Sequence, residues 1–341
     1  MTRLSIVQVG GGLWGQSWAE LVARSSGFHL AGLVDRAQGV RDWARTRLGC
    51  PTFPDLGAAL RRVQCDAVLI VAPPHAHRSL AEEALRAGCH VAIEKPLALD
   101  LDDARAIVAA AERAGRIAMV TQNYRFRRQP HALRQLLQER RLGRLLGGHV
   151  SCRRDLRLDP AALDWRSTMR HPYVLDMAIH HVDLLRMITG REVVEVDARS
   201  WPAIGGPFRH DVAAVGLIGV EGGVEFGYEG SWMAASSWTS WNGDWELVGV
   251  DGVADWIGGV NHALRGRVYL ERRDTPRARL PLPHLPALDR LGVLHELRRA
   301  VAFGTRPECS VADNVRSLAA VLALARSAEE RRPVRVAEVL S

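Results

Sequence analysis

The sequence predicts an α/β protein with two domains. Its 341 residues are enough for two domains of ordinary size, each with its own core. Over the first third, apolar runs alternate with segments of helical spacing, which indicates a parallel sheet covered on both faces. Later apolar runs follow one another without helices between them, which indicates an antiparallel sheet. We place the first domain at residues 1–122 and the second at residues 123–341.

The first domain is predicted from alternating strands and helices. Five short apolar runs are typical of buried strands: LSIVQVG (4–10), FHLAGLVD (28–35), DAVLIVA (66–72), HVAIEKP (90–96) and RIAMVTQN (116–123). Five intervening segments carry apolar residues at helical spacing: WGQSWAELVARSS (14–26), VRDWARTRLG (40–49), DLGAALRRV (55–63), HRSLAEEALRAG (77–88) and DLDDARAIVAAAERAG (100–115).

The second domain follows a different pattern. A helix (130–144), a strand (145–156) and a loop (157–172) precede a helix over 174–190, which Gly190 closes. Five strands are then predicted in succession: VVEVDARSW (193–201), DVAAVGLIGV (211–220), GVEFGYEGSWM (223–233), DWELVGVDG (244–252) and RVYLERR (267–273). Helices near 288–303 and 311–331 finish the chain.

Composition indicates a globular protein. The chain is 47% hydrophobic and 24% charged, and no apolar run approaches the roughly 20 residues that span a bilayer. The start of the sequence has no signal-peptide pattern, so we expect a cytoplasmic location. Five scattered cysteines without a C-x-x-C pair predict reduced, mostly buried thiols rather than disulfides or a zinc ribbon.

The net charge of +7 is concentrated in one region. Residues 1–122 carry 14 basic and 12 acidic side chains, whereas residues 123–170 carry 12 basic and 4 acidic ones. This local excess would attract an anionic substrate, face a partner subunit or contact nucleic acid. Nothing else in the sequence supports nucleic-acid binding.

A glycine-rich turn after the first strand predicts dinucleotide binding. Gly10, Gly12 and Gly15 form a G-x-G-x-x-G pattern, which allows a tight turn, close approach of a pyrophosphate and tight helix packing. Asp35 ends the second strand, where a carboxylate accepts hydrogen bonds from the adenine ribose. The acidic residue favours NAD, and the adjacent Arg36 leaves NADP possible.

Lys95 is the only lysine among the 45 basic Lys and Arg residues. Arginine serves every other basic position, so we expect Lys95 to do what arginine cannot. Lysine is a compact donor whose pKa falls readily on burial, which suits proton transfer or contact with one small polar group. It ends a predicted parallel strand, where such sheets bind ligands, and Pro96 fixes the following turn, for which a cis bond is one option. The alternative is that one lysine survived by chance.

The helix at VLDMAIHHVDLL supplies a second group of reactive side chains. Asp176 and His180 are four residues apart and share one face of a regular helix. An imidazole suits removal of a hydroxyl proton, and a nearby carboxylate can orient it. His181 points about 100° away and is expected to be structural. A metal site and a buried polar helix face are the alternatives.

Together these motifs resemble the Gfo/Idh/MocA oxidoreductase family, which includes glucose-fructose oxidoreductase and inositol dehydrogenases. The resemblance rests on the glycine turn, Asp35 and, in order, APPHAH (72–77), EKP (94–96), QNYRF (122–126), DWR (164–166) and LDMAIHHVDLL (175–185). It covers essentially the whole chain. The run MRHPYV (169–174) departs from the family, whose members often have a glycine-rich stretch there.

The resemblance implies a Rossmann domain followed by an α+β domain with a large open, mainly antiparallel sheet, through which homodimers or homotetramers form. It implies NAD(P)-dependent chemistry on a sugar, sugar acid or cyclitol. No metal is expected, because the consecutive His180 and His181 cannot share one face of a helix. Lys95 would contact the reacting hydroxyl, Asp176 would orient the histidine, and His180 would be the acid/base. The cofactor-binding residues would be Gly10, Gly12, Leu13, Trp14, Gly15, Asp35, Arg36, Ala72, Pro73, His77, Glu94, Lys95 and Asn123.

The predicted reaction is reversible oxidation of a secondary alcohol or hemiacetal carbon by hydride transfer to the nicotinamide. Two alternatives on the same fold are an NAD-dependent glycosidase-type enzyme and a non-catalytic nucleotide-sensing protein. The basic excess hints at an acidic or phosphorylated sugar. Candidates for substrate contact besides the catalytic residues are Asn123, Tyr124, Arg125, Trp165 and Arg166.

Half of the ten tryptophans cluster in the predicted sheet region. Sugar stacking is one interpretation of this cluster. Burial in a subunit interface is the favoured one, because large open sheet faces are usually covered. The residues concerned are Trp232, Trp238, Trp241, Trp245 and Trp256.

Overall fold

The computed structural model describes residues 3–157, 165–202, 207–259 and 262–341. Its contacts divide the chain into two compact units. The first unit contains residues 1–123 and 286–315, and the second contains residues 124–285 and 316–341.

The first unit is built on a six-stranded parallel sheet with the strand order β3-β2-β1-β4-β5-β6. Its strands are β1 Leu4–Val9, β2 Phe28–Val34, β3 Thr52–Phe53, β4 Ala67–Ile70, β5 His90–Ile93 and β6 Ala118–Val120. Its first helices are α1 Leu13–Arg24, α2 Gln38–Leu48, α3 Leu56–Leu60, α4 His77–Arg86 and α5 Leu101–Ala114. The predicted strands and helices are confirmed; β3 has only two residues and gives no periodic signal.

This sheet places the predicted cofactor residues at one edge. Every residue of β4 is buried, as expected for a central parallel strand. The strand order reverses between β1 and β4, and in such sheets ligands bind outside the carboxyl ends of the strands at this point. The glycine turn follows β1, Ala72 follows β4 closely, and Lys95 follows β5.

A returning segment, residues 286–315, completes the first unit. Helix α8 (Asp289–Phe303) belongs to it, although the sequence division assigns residues 286–315 to the second domain. Backbone pairing explains the difference, because Met119 forms a bridge with Ser310 and the Val120 amide donates to the carbonyl of Cys309 at 2.8 Å. Hydrophobic spacing predicts that a helix forms, but not which sheet it packs against.

The second unit contains a nine-stranded sheet in the order β14-β13-β12-β11-β7-β10-β9-β8-β15. Its strands are β7 Leu145–Arg153, β8 Val193–Trp201, β9 Ala213–Val220, β10 Val224–Ser231, β11 Asp244–Gly249, β12 Gly252–Gly259, β13 His262–Arg272, β14 Thr275–Arg279 and β15 Val334–Arg335. The remaining helices are α6 Arg128–Gln138, α7 Ile179–Thr189, α9 Val311–Glu330, which begins in the first unit, and α10 Ala337–Leu340.

The predicted antiparallel sheet is confirmed with one exception. β7 and β10 pair in parallel, because β7 precedes the helical segment and inserts between β10 and β11. Three strands of this sheet were missed: β12 begins and ends in glycines, β14 is exposed along its whole length and lacks apolar alternation, and β15 has only two residues. β12 and β14 each form hairpins with strands next to them in sequence, so backbone pairing rather than apolar alternation defines them.

The two faces of this sheet differ. On β9, Ile218 is buried, whereas Val215 and Leu217 are 45% and 49% exposed. Register places Leu217 beside Gly227 and Asp197, and Val215 beside Glu229 and Arg199. One face therefore forms the core of the unit, and the other is open with mixed apolar and charged residues.

The tryptophan prediction is wrong for three of the five residues. Trp232, Trp245 and Trp256 are at most 2% exposed, and the rings of Trp245 and Trp256 stack with centroids 6.0 Å apart. These side chains fill the unit's own core, so neither sugar stacking nor a subunit interface explains them. A run of aromatic residues in a strand does not indicate which face each side chain occupies.

Candidate active site

The glycine turn is shaped for close approach of a ligand. Gly10 has φ +95, and a Cβ atom there would lie 2.3 Å from the carbonyl oxygen of Val71. A Cβ on Gly15 would lie 2.4 Å from the Gly10 oxygen, whereas a Cβ on Gly12 would meet nothing within 4 Å. Two glycines are thus required by packing and the third keeps space open.

The open space lies at the start of α1. Gly12 is the N-cap of this 12-residue helix, and no side chain caps it. The first amides of a helix carry a partial positive charge and favour a phosphate group. Leu13 and Trp14, the first two residues of the helix, are 67% and 47% exposed. The turn fits a dinucleotide pyrophosphate.

Asp35 lies beside this turn and is held by backbone amides. Its carboxylate accepts hydrogen bonds from the amides of Gly11 and Ala37, both at 2.8 Å. A carboxylate offers about four acceptor positions, so oxygens remain available to ribose hydroxyls. The adjacent Arg36 is exposed, as an arginine that meets a 2′-phosphate would be.

Glu94 links α1 to the strand end that carries Lys95. Its Oε1 atom accepts from the indoles of Trp14 and Trp18 at 3.0 and 2.8 Å, and its Oε2 atom accepts from the Lys95 amide at 3.1 Å. Arg290 from the returning segment stacks over both indoles, 4.5 and 5.4 Å from the ring centroids. The Lys95–Pro96 peptide bond is cis.

His77 joins the loop after β4 to the turn after β5. Its ring is fully buried, with Nε2 2.9 Å from the Ala72 oxygen and Nδ1 3.1 Å from the Pro96 oxygen. Burial lowers the pKa of this histidine. Its side chain has a packing role, so it would affect a cofactor through the position of Ala72 and Pro73.

Asn123 ends the first unit beside the returning segment. Its amide nitrogen donates to the carboxylate of Asp289, the first residue of α8, and its side chain is buried. Sequence analysis missed this partner because Asp289 lies 166 residues away. Asn123 therefore has a structural partner besides its predicted role in binding.

In the second unit, Asp176 lies in a wide helical turn. Residues Tyr173–Ala178 form a π-helical turn, and the regular helix α7 begins only at Ile179. The expectation of one α-helix from residue 174 is therefore wrong, and regular spacing cannot show that Asp176 and His180 share a face. Such turns are frequent at functional sites.

Asp176 pairs with one of the predicted substrate residues. The Arg166 Nε atom donates to the Asp176 carboxylate at 2.9 Å, and the Arg166 guanidinium lies 4.4 Å from the ring centroid of Trp165. Trp165 and Arg166 form a short turn at the edge of the described chain, and Asp164 of the same motif lies outside it. The structure thus brings Asp176 into contact with Arg166 of the separate DWR motif, and Trp165 of that motif lies against Arg166.

His180 is buried and stacks on Tyr124. The two ring centroids are 4.0 Å apart and the ring planes differ by 10°. The guanidinium carbon of Arg127 lies 3.6 Å from the centroid of the Tyr124 ring. Sequence analysis proposed Tyr124 as a substrate contact and did not identify Arg127. The QNYRF motif carries the tyrosine, but no periodicity indicates this stack.

Arg125 is committed to an ion pair inside the second unit. Its Nε and Nη2 atoms donate to the two carboxylate oxygens of Asp183 at 2.6 and 2.7 Å, and both side chains are buried. Ser317 also donates to Asp183, at 2.7 Å. The predicted substrate contact of Arg125 therefore competes with a structural role.

His181 occupies the interior, as expected for a structural residue. Its Nδ1 atom lies 3.0 Å from the Tyr228 hydroxyl, which is itself 3.0 Å from the Tyr173 hydroxyl. Its Nε2 atom lies 3.1 Å from the Trp241 carbonyl oxygen. Burial lowers the pKa of His181 to about 4. These contacts anchor the segment that carries Asp176 and His180.

Part of the local basic excess is paired with carboxylates within the fold. Several of its arginines pair with carboxylates: Arg125 with Asp183, Arg153 with Glu229, Arg157 with Asp155, Arg166 with Asp176 and Arg170 with Glu329. The excess of charge therefore no longer argues by itself for an acidic substrate.

The described part of the chain offers neither a metal-binding cluster nor a membrane-spanning helix. No cluster of three or more His, Cys, Asp or Glu side chains in it is placed to hold a metal ion. No helix in it is both long and apolar enough to cross a bilayer.

Comparison with protein families matches both parts of the chain. Residues 4–122 match a family described as an oxidoreductase family with an NAD-binding Rossmann fold. Residues 130–255 match the GFO/IDH/MocA C-terminal domain. The predicted NAD-binding domain and the predicted fold class are confirmed.

Among curated proteins, the chain is 32% identical to D-apiose dehydrogenase from Paraburkholderia graminis, with 83% of this chain and 76% of that protein covered. It is 29% identical to inositol 2-dehydrogenase from Rhizobium meliloti, with 56% of each covered. An oxidoreductase from Agrobacterium radiobacter, solved with NAD+, L-tartaric acid and magnesium, has a TM-score of 0.88 at 20% identity, with 99% of each chain covered. That structural likeness shows the fold alone.

Proposed function

The chain belongs to the Gfo/Idh/MocA oxidoreductase family, and from this we propose that it interconverts a secondary alcohol or hemiacetal carbon of a sugar, sugar acid or cyclitol with its carbonyl form. It is an NAD(P)-dependent dehydrogenase. The observation that carries the proposal is Lys95, the only lysine, at the end of β5 beside the Glu94 carboxylate that also holds Trp14 of α1.

The residues of the first unit fit the cofactor. Gly12 and the uncapped start of α1 would receive the pyrophosphate, and Asp35 would accept the ribose hydroxyls. A bound nicotinamide cofactor supplies the acceptor or donor for a hydride at the reacting carbon. NAD is the proposed cofactor, and Arg36 next to Asp35 supports some use of NADP.

Lys95 would hold the reacting oxygen. In the oxidation direction, negative charge develops on the substrate oxygen as its proton leaves, and an ammonium group stabilises that charge. Arginine would present a broad planar fork instead of one compact donor. This difference supports the retention of lysine at this position alone.

His180 would take the hydroxyl proton, and Asp176 would act on it as the orienting carboxylate. A neutral imidazole accepts a proton near neutral pH, which suits a general base. The Arg166 partner of Asp176 adds a link that the sequence did not predict. We propose Trp165 and Arg166 as substrate contacts, since they lie next to Asp176 in the second unit.

We also propose that copies of the chain associate through the open face of the nine-stranded sheet. Val215 and Leu217 on β9 and Trp201 on β8 are between 45% and 49% exposed there. Large apolar side chains on an open sheet face favour association. The proposed location is the cytoplasm, where the five cysteines, which form no disulfide, would stay reduced.

The test follows reduced-nicotinamide absorbance with NAD and NADP across cyclitols, aldoses and sugar acids. Wild type is compared with His180→Asn, and with His29→Asn at an exposed position of β2 as control. The proposal expects turnover in wild type and the control, and a loss of roughly 100-fold or more in His180→Asn. Wild-type binding of the cofactor without turnover of any substrate would contradict it.

A further inference from the structure

The Tyr124 ring contacts both His180 and Arg127. All three side chains are buried, with exposures of 8%, 4% and 3%. We propose that Tyr124 and Arg127 are positioning residues, in which the tyrosine ring fixes the plane of the His180 imidazole and the guanidinium favours its neutral form. This inference rests on the proposed function of His180 as the general base.

The two groups lie on opposite faces of the tyrosine ring. His180 stacks nearly parallel at a centroid distance of 4.0 Å, and the Arg127 guanidinium carbon lies 3.6 Å from the same centroid. Neither group leaves room for the other over one face. The distance from the guanidinium carbon to the imidazole centroid therefore cannot exceed the sum of these two distances.

This arrangement disfavours a charged imidazole. An aromatic face attracts a cation through its quadrupole, and Arg127 already occupies one face. A protonated His180 would place a second cation on the same ring, and arginine cannot relieve the repulsion because it stays protonated. The charge of Arg127 therefore opposes protonation of the imidazole, which the ring alone would favour.

Arg127 also acts on the neighbouring histidine, His181. Burial lowers the pKa of His181 to about 4, and the positive charge of Arg127 acts in the same direction. His181 is adjacent to His180 in α7. Arg127 is thus close enough to influence an imidazole on this helix.

Two acidic residues lie within four positions of His180 along the chain. On its own helical segment, Asp176 and Asp183 would favour the protonated ring. Asp176 is paired with Arg166, and Asp183 with Arg125. These ion pairs weaken the effect of the two carboxylates on the imidazole. The positive charge of Arg127 can then oppose protonation of His180.

The local backbone produces the stack. Residues Asn123–Phe126 form a 3₁₀ turn, and the Arg127 amide donates to the Tyr124 carbonyl at 3.2 Å. Arg127 is then the N-cap of α6. The chain turns back within these residues, so the Arg127 guanidinium reaches the ring of Tyr124, which is three residues earlier in the sequence.

The experiment measures the pH profile of kcat/KM and, separately, the NMR titration of ¹³C-labelled histidine in the full chain without substrate. His180 is assigned with His180→Gln. The variants are Arg127→Met, Arg127→Lys and Tyr124→Leu, and Arg128→Met removes the same charge one residue away, beside a surface cavity lined by residues 279–282.

In Arg127→Met, the acidic limb of the profile and the His180 titration should move to higher pH by on the order of half a pH unit or more. Arg127→Lys and Arg128→Met should retain the wild-type midpoint. Tyr124→Leu should lower kcat by about tenfold with a smaller effect on KM, because the ring plane is no longer held.

An unchanged His180 midpoint in Arg127→Met would overturn the inference, as would an equal shift in Arg128→Met. The titration needs no catalysis, so it separates the two proposals. A shifted midpoint in a protein without dehydrogenase activity would reject the proposed function and retain the effect of Arg127. Normal wild-type turnover with an unshifted midpoint would reject this inference alone.

Discussion

The imidazole of His180 stacks on the phenol ring of Tyr124, with centroids 4.0 Å apart and planes 10° from parallel. Stacking restricts the rotation of an imidazole about its side-chain bonds. A base whose ring plane is fixed does not lose orientational freedom when a substrate binds. The same contact links the helix that carries the proposed base to the turn that begins the second unit.

A substitution in the glycine turn should weaken cofactor binding much more than it lowers stability. Gly12→Ala adds a methyl group where nothing lies within 4 Å, at φ −59, so stability should fall by no more than about 1 kcal/mol, the effect of alanine at an N-cap. Cofactor affinity should fall by about tenfold or more, because the methyl group fills the proposed pyrophosphate space. Calorimetric titration with NAD measures the affinity, and thermal unfolding measures the stability.

Gly15→Ala is the matched comparison. Its methyl group would lie 2.4 Å from the Gly10 carbonyl oxygen, so the helix must shift away from the turn. The free energy of unfolding should fall by about 1–3 kcal/mol. Equal stability losses in the two variants would contradict the assignment of Gly12 to an open space.

Glu94→Gln tests the link between α1 and Lys95. The carboxylate accepts from two indoles and from the Lys95 amide, whereas a glutamine presents one acceptor and one donor group. One donor then loses its acceptor, and unfolding free energy should fall by about 1–3 kcal/mol. Denaturant unfolding measures the loss.

The control for this substitution is Glu20→Gln. Glu20 forms an ion pair with Arg47 in which the two side chains are 40% and 68% exposed, and surface pairs contribute little. A fall in stability for Glu20→Gln as large as that for Glu94→Gln would show that loss of charge, rather than loss of an acceptor, is responsible.

The lowered pKa of His181 predicts that stability depends on pH. Burial lowers its pKa from the ordinary value of 6.5 to about 4 in the folded protein. Between these values the unfolded chain binds more protons, so stability falls as pH falls, by about 2–3 kcal/mol from pH 6.5 to 4.5. Burial also lowers the pKa of His77 and His90, with the same sign.

The variant His181→Asn isolates this contribution. It should be less stable at pH 7 because the buried network with Tyr228 is altered, but its unfolding free energy should depend less steeply on pH between 6.5 and 4.5. Denaturant unfolding across this window gives both slopes. Parallel slopes in wild type and variant would show that His181 does not carry the dependence.

Leu217→Asp tests the proposed association surface. Leu217 is 49% exposed on the open face, and a carboxylate there would be buried on association without a partner. We expect an oligomer in wild type and a smaller species in the variant, measured by sizing with light scattering. Phe303→Asp, at an exposed apolar position on α8, should keep the wild-type size. A monomeric wild type would refute the proposal.

The features that the sequence predicted correctly depend on residues that lie close together along the chain. Strand and helix alternation, the glycine turn and the position of Asp35 follow from short-range spacing, and the structure places them as expected. The Asp289 partner of Asn123 and the Arg127 stack depend on contacts made by folding. The wide turn at Asp176 breaks the regular spacing on which the predicted Asp176–His180 face relied.

We propose above all that Lys95 acts on the reacting oxygen in a way that arginine cannot. The most direct measurement is reduced-nicotinamide formation with NAD by wild type, Lys95→Arg and, as control, Arg47→Lys at an exposed position. We predict that kcat falls by roughly 100-fold or more in Lys95→Arg and is unchanged in the control. Full turnover by Lys95→Arg with a good substrate would contradict it.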